Sequence, residues 1–205
     1  MLNYLLSIDH NLFWLINSYH TLWLDFFFSI ITNLGNGWVV TPVLLVIIIK
    51  NVPRNRLTSF IVMSVILMTT CGMLNTYIKK SANRPRPAAF FKHISSISSD
   101  TTNNPAFSSQ TTDIHIVGEK LYRNSFPSGH ANTAFSAATI IASFGGLYNI
   151  AFIPAFLVGY SRIYMGAHFP YDVVAGGFSG WIIMWTGLLI YKSHMRKRTC
   201  INDKQ

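Results

Sequence analysis

The chain has 205 residues, of which half are apolar, 14% aromatic and only 11% charged, too little charge for a water-soluble domain of this size. Its net charge of +9 is gathered into residues 50–56 (KNVPRNR), 79–86 and 192–198 (KSHMRKR). The first and last of these flank apolar runs, as cytoplasmic anchors do, which removes nucleic acid as a partner. Two cysteines, Cys71 inside an apolar run and Cys200 in the C-terminal tail, offer neither a disulfide framework nor a metal-binding spacing.

In chain order, the first twenty residues contain Asp9 and His10 and lack a basic leader, so the N-terminus is expected to stay attached rather than be cleaved as a secretory signal. Residues 22–50 are apolar but broken by Gly35-Asn36-Gly37. They read either as one long tilted helix or as an interfacial helix followed by a spanning one. The runs 58–78, 131–148, 149–166 and 173–191 are each about long enough for a 30 Å hydrocarbon core, which takes about 20 helical residues. The fold class expected is therefore all-α, a polytopic membrane helix bundle of five or six transmembrane helices, with residues 1–205 forming a single membrane-embedded domain. One long connection, 81–127, is rich in Ser, Thr, Asn and Pro, and a loop of that length is usually functional or disordered. There is no internal repeat.

With 50–56 and 192–198 in the cytoplasm, the positive-inside rule makes 81–127 an extracytoplasmic loop and brings three segments to the far membrane face. These are KKSANRPRP (79–87), SFPSGH (125–130) and SRIYMGAHFPYD (161–172). Taken singly, Lys79 and Lys80 fit snorkelling anchors, Arg84-Pro85-Arg86-Pro87 a rigid exit from a helix, and Pro127-Ser128-Gly129-His130 a turn with Ser128 as a helix cap. Arg162 fits such a reading less well, because an arginine inside an apolar crossing needs an anionic partner. Taken together, the three segments share the chemistry of phosphoryl recognition. Arg86 and Arg162 present planar forks to phosphate oxygens, Lys79 a compact charge, and the helix after Ser128 its unpaired N–H groups. Pro170 suits a first helical turn that carries Asp172 towards His168; a carboxylate holding one ring nitrogen leaves the other free as a nucleophile. His130, from a different helix start, can face the opposite side of phosphorus, where a leaving oxygen needs a proton.

Lys79 with Arg86-Pro87 after six residues, then Pro127-Ser128-Gly129-His130, then Ser161-Arg162 with His168 after five residues and Asp172 after three more, resembles the three-part signature of the type 2 phosphatidic acid phosphatase family of integral-membrane lipid phosphatases. The resemblance covers 79–172 and has no departure at these positions. It implies a phosphatase without metal or other cofactor, in which His168 is the nucleophile, Asp172 its orienting partner and His130 the acid. It further implies that Lys79, Arg86, Ser128, Gly129 and Arg162 bind phosphate. Vanadium-dependent haloperoxidases resemble the same signature but are soluble.

The expected reaction is hydrolysis of a lipid phosphate or diphosphate through a phosphohistidine at the extracytoplasmic face. Phosphatidic acid, phosphatidylglycerol phosphate, undecaprenyl diphosphate and a lipid A phosphate all fit the cradle. A lipid phosphotransferase and a non-catalytic lipid-phosphate binding or transport protein are the alternatives. The expected partners are the lipid substrate and the bilayer, with no obligate protein partner. A short chain with no N-x-Ser/Thr acceptor site is compatible with a bacterial inner membrane and an active site facing the periplasm.

Overall fold

A computed structural model describes residues 2–92 and 114–202, and the regular secondary structure among them is helical throughout. The middle of the 81–127 connection, residues 93–113, lies outside the described residues. Helix α1 (Leu2–Asn17) is an element that hydropathy leaves unassigned; its 16 residues are few for a crossing, and it buries Asp9, Phe13 and Asn17. Helix α2 (Leu22–Ile31) is capped by Thr21, whose hydroxyl accepts the Leu24 N–H. A 3₁₀ turn, Thr32–Gly35, leads to α3 (Gly37–Asn51), capped by the Asn36 side chain. Of the two readings of 22–50, one long tilted helix does not hold, because α2 with its 3₁₀ turn and α3 meet at an angle of 63°. Gly35 is needed at the bend because a Cβ there would sit 2.6 Å from Val158 Cγ1 and 2.9 Å from His130 Cβ.

Helix α4 (Arg54–Ala82) runs unbroken for 29 residues and ends at Asn83, which takes a left-handed conformation with φ 40°. The next element, α5, is described over residues 87–92. Helix α6 (Gly129–Ala142) starts after Ser128, whose side chain accepts the Ala131 N–H, and a 3₁₀ segment (Gly146–Ala151) joins it to α7 (Phe152–Tyr164). The last helix, α8 (Pro170–Asn202), has 33 residues.

By length and composition, the helices starting at Arg54 and Pro170 can each cross a membrane, and the bent α2–α3 pair makes a third if counted as one span. The expected runs 131–148 and 149–166 form helices of only 14 and 13 residues, about 20 Å each at 1.5 Å per residue. Hydropathy counts apolar residues, whereas the helix stops where the backbone turns, here at Gly145 and Gly146 with φ 82° and 57°.

Helix α6 is the axis of the assembly. Val40, Leu44, Phe60, Cys71, Ala137, Ile140 and Met184 form one apolar cluster around it, while Ala134 and Ala138 pack on Ala155 and Val158 of α7. Gly176 and Gly180 let α8 approach α6 backbone to backbone, since a Cβ at either would lie 2.3 Å from the carbonyl oxygen of Ser128 or Asn132. This is the small-residue spacing by which membrane helices gain close van der Waals contact where lipid is as apolar as the side chains. Large apolar residues such as Leu22, Trp38, Val65, Phe156 and Phe178 point outward. The close α6–α8 contact also fixes the site, because the Ser128 N–H bonds the Asp172 carbonyl at 2.8 Å.

Candidate active site

The three segments predicted to converge do so at one end of the bundle. Beyond Asn83, Pro85 and Pro87 hold the residues before them extended, and the strand-like stretch they form pairs with the far end of the long connection. Arg86 N–H bonds Tyr122 O at 3.0 Å and Ser125 N–H bonds Arg84 O at 2.9 Å. The buried Arg86 guanidinium is aimed by two carbonyls, with Nε donating to Arg123 O and Nη1 to Ala167 O, both at 3.0 Å. Nη1 then lies 3.5 Å from Nε2 of His168.

His168 sits in the short connection between α7 and α8 and is almost fully buried. The backbone holds it: the N–H groups of Ala167 and His168 both reach Arg162 O, at 3.0 and 3.2 Å. Its Nδ1 faces Ser125 Oγ at 3.4 Å and Asp172 Oδ2 at 3.6 Å. The expected carboxylate is therefore present four residues on, though beyond direct hydrogen-bond reach. Asp172 Oδ2 instead accepts the Ser125 hydroxyl and, at 2.9 Å, the Phe169 N–H. Burial dominates the titration of His168 and pushes it from the ordinary 6.5 down to about 3; the Asp172 contact opposes this, and Arg86 and Arg162 add to it. A neutral imidazole with Nδ1 towards Ser125 and Asp172 leaves Nε2 facing Arg86.

The remaining predicted residues lie on the helices next to this connection. Arg162 donates through Nη1 to Thr32 Oγ1 at 2.8 Å, while its buried Nε has no hydrogen-bond partner among the described residues. The anion this arginine was expected to need is not supplied by a described carboxylate. Lys79 reaches over from the last turns of α4, and a Cβ at Gly129 would lie 3.8 Å from its Nζ, so the glycine start of α6 and the ammonium share one wall. Lys79, Arg86 and Arg162 all act electrostatically on His130. Ser128 is buried and capped into α6. The eight predicted residues thus lie at the same end of the bundle, with Lys79, Arg86 and Arg162 close enough to act on His130 and Asp172 packed behind His168.

Sequence reading missed five residues here. Arg84, read only as part of a rigid exit, donates from Nη1 to Asp172 Oδ1 and from Nη2 to Asp9 Oδ2, each at 2.6 Å. Asp9 comes from α1, and its presence in an apolar segment was the available signal. Ser125 lay inside the converging segment 125–130 without a role of its own, and Thr32 carried no signal. Asn75, one turn before Lys79, is buried beside Gly129, and its Oδ1 has no hydrogen-bond partner among the described residues.

Comparison with known proteins gives the family of the chain. The family model described as the PAP2 superfamily matches residues 57–197. The chain belongs to that family. It is 28% identical over 191 residues to the lipid A 4'-phosphatase of Bacteroides thetaiotaomicron, covering 89% of this chain and 78% of that protein. It is 29% identical over 181 residues to the undecaprenyl-diphosphatase of Sulfolobus acidocaldarius, covering 86% and 76%. Among solved structures it resembles Aquifex aeolicus LpxE, with a TM-score of 0.65 and 31% identity over 88% of this chain and 94% of that one. This PAP2 protein is an integral membrane phosphoric ester hydrolase that acts on lipid phosphates.

Proposed function

We propose that this PAP2 enzyme hydrolyses its lipid phosphate through a phosphohistidine on His168, at the membrane face away from the cytoplasm. The observation that carries the reading is the two-sidedness of the His168 ring: Nδ1 is backed by Ser125 and Asp172, while Nε2 opens towards Arg86. Nε2 attacks phosphorus in line as the P–O bond to the lipid breaks. Arg86, Arg162, Lys79 and the N–H groups at the start of α6 meet the charge on the equatorial oxygens, the fixed electrostatic complement that carries most of such a rate enhancement. The phosphate dianion supplies the negative charge that lets His130 hold a proton among three cations, and that proton passes to the departing lipid oxygen. Water, deprotonated by the same His130, then attacks the phosphohistidine, releasing inorganic phosphate and restoring Nε2.

An apolar groove of about 520 Å³, lined by Phe135, Phe156, Gly159, Val173, Gly177 and Trp181, begins one residue past Asp172 and gives hydrocarbon tails a place beside the site. The chain acts as one domain of five or six crossings, with the short α6 at its centre. It sits in a bacterial inner membrane and faces the periplasm. Accordingly, Cys200 is shielded from an impermeant thiol reagent in intact cells, whereas Ser109→Cys, at a position outside the described residues, is labelled. The opposite pattern would invert the protein.

The substrate test is phosphate release by purified protein from phosphatidic acid, phosphatidylglycerol phosphate, undecaprenyl diphosphate and a lipid A phosphate, with and without chelator. Hydrolysis that survives chelation is expected, because the site residues are cations with one nearby carboxylate pair, unlike the oxygen ligands of a Mg²⁺ site. A trapped acid-labile phosphoprotein that is lost in His168→Ala supports the intermediate. Chelator-abolished activity restored by a divalent ion would overturn the mechanism.

A further inference from the structure

Helix α1 contributes nothing to the family motifs, yet it delivers a fully buried carboxylate to the back of the site. Asp9 accepts the Tyr171 N–H through Oδ1 at 2.8 Å and Arg84 Nη2 through Oδ2 at 2.6 Å. The Arg84 guanidinium stacks over Phe169, 4.5 Å from the ring centroid, and passes its other nitrogen to Asp172 Oδ1 at 2.6 Å. Asp9 and Asp172 are both at 0% exposure, and two buried carboxylates this close are tolerable only with a cation between them. The other donors to Asp172, Ser125 and the Phe169 N–H, fall on Oδ2, so among the described residues Arg84 is the partner of Oδ1, and losing it leaves the rotation of the carboxylate that faces His168 to the Oδ2 contacts and to repulsion from Asp9.

We propose that Asp9 and Arg84 form a positioning relay, in which α1 holds Arg84 and Arg84 sets the orientation of Asp172 behind His168. Neither residue touches the phosphate cradle; they act through Asp172 on the ring. The inference rests on His168 being the nucleophile. Arginine suits the task because its planar fork spans two carboxylates at once, which a lysine cannot do with the same geometry. It also gives α1 a reason to be packed against the start of α8: removing the helix removes the counterion of the counterion.

The relay makes an unusual prediction about combined variants. In Arg84→Gln, Asp9 and Asp172 confront each other without a cation, and repulsion turns Asp172 away from His168. In Asp9→Asn/Arg84→Gln one of the opposed charges is gone, and Asp172 returns to Ser125 and the Phe169 N–H.

The assay uses full-length protein in detergent, the lipid hydrolysed fastest among the four named above, and vanadate as a probe of the cradle. Arg84→Gln is expected to lower kcat by about 10- to 100-fold, the usual range for a partner that orients a first contact, with vanadate inhibition unchanged. The double variant is expected to recover several-fold over Arg84→Gln. A residue that only stabilises the fold would lose vanadate affinity along with kcat, and a second lesion would not restore activity. Wild-type kcat in Arg84→Gln, equal loss of vanadate affinity, or a double variant no better than the single would overturn the relay. Should Arg84→Gln fail to fold, Arg84→Lys and Asp9→Glu, which keep the charges and change the geometry, must lower kcat with vanadate affinity intact, and wild-type kcat in both would be equally fatal. His168→Ala in the same assay separates the two readings: turnover there would refute the nucleophile, whereas an inactive His168→Ala beside a fully active Arg84→Gln would refute only the relay.

Discussion

Behind His168, charges of opposite sign alternate: Asp9, Arg84 and Asp172 are joined by two ion pairs of 2.6 Å. In front of it, Lys79, Arg86 and Arg162 act on one another as like charges, and none of the three makes an ion pair among the described residues. Burying unpaired cations is costly, so the front bank is held by carbonyls and a hydroxyl that aim the guanidinium groups without neutralising them. The rear bank sets one guanidinium between two carboxylates, so each of its groups is paired although one negative charge remains in excess, and it is suited to holding a shape. In the proposed mechanism the front bank keeps its charge for the phosphate of the arriving lipid. The same amino-acid types therefore do different jobs a few ångströms apart, and the pairing, more than the identity, tells them apart.

The comparison breaks most decisively at the residue between the banks. His168→Ala is expected to lower steady-state turnover by about 10⁴-fold or more, in line with loss of a catalytic nucleophile, while the folded protein still binds vanadate because the front bank is intact. Appreciable turnover by the variant, measured as phosphate release, would mean that the division into banks describes a binding site only.

His130 belongs to the front by position but differs from the cations in task. Its replacement by Ala is expected to slow hydrolysis of a natural lipid by about 10²- to 10⁴-fold, the scale of general acid–base catalysis. An aryl phosphate with a good leaving group needs no proton at the first step, so a pre-steady-state burst of the aryl alcohol should persist while later turnovers stay slow. Equal loss of burst and steady state would remove His130 from the acid role and leave it as a wall of the pocket.

Within the front bank itself, Arg162→Lys keeps the charge and loses the fork. A drop of about 10²-fold in kcat/KM, comparable to removing one fixed donor to a transition-state oxyanion, with a parallel loss of vanadate inhibition, would show that Arg162 contacts the phosphoryl group directly. That parallel loss is what separates a front residue from Arg84, whose variants are expected to leave vanadate affinity alone.

What was legible in the sequence follows the same division. The front bank and His168 lie in short motifs whose spacing already implies a shared surface: Asp172 four residues after His168, Ser128 just ahead of a helix, Arg86 between two prolines. The break at Gly35-Asn36-Gly37 was equally visible, although its service to the site, through Thr32 on Arg162 and the close fit of Gly35 on His130, depends on packing that no local pattern encodes. The rest of the rear bank, Asp9 and Arg84, was illegible for a related reason. Asp9 and Arg84 are 75 positions apart and Arg84 and Asp172 are 88 apart, and a single carboxylate or arginine near a membrane surface has several innocent explanations. The lengths of α6 and α7 were misjudged because apolar composition continues through Gly145 and Gly146, where the backbone leaves the helix.

The smallest expected effect concerns how dry the boundary between the banks is. Burial, opposed by Asp172 and assisted by Arg86 and Arg162, holds His168 at about 3 in the folded protein, against about 6.5 for an exposed histidine in the unfolded chain. Above pH 6.5 the ring is neutral in both states and its burial carries no protonation penalty. As pH falls from 6.5 towards 3, the unfolded chain takes up a proton that the folded one refuses, so stability contributed at this position is progressively lost. His168→Asn removes the titrating group and keeps a polar side chain of similar reach. Thermal unfolding of wild type and variant in detergent at pH 7.5, 5.5 and 4.5 cancels the groups common to both, and the stability of the wild type relative to the variant should decline steadily over that interval. A difference that stays constant with pH would mean that His168 accepts a proton in the folded state as readily as in water. In that case the front cations are already screened by solvent, and the contrast between a paired rear and an unpaired front would lose its electrostatic force.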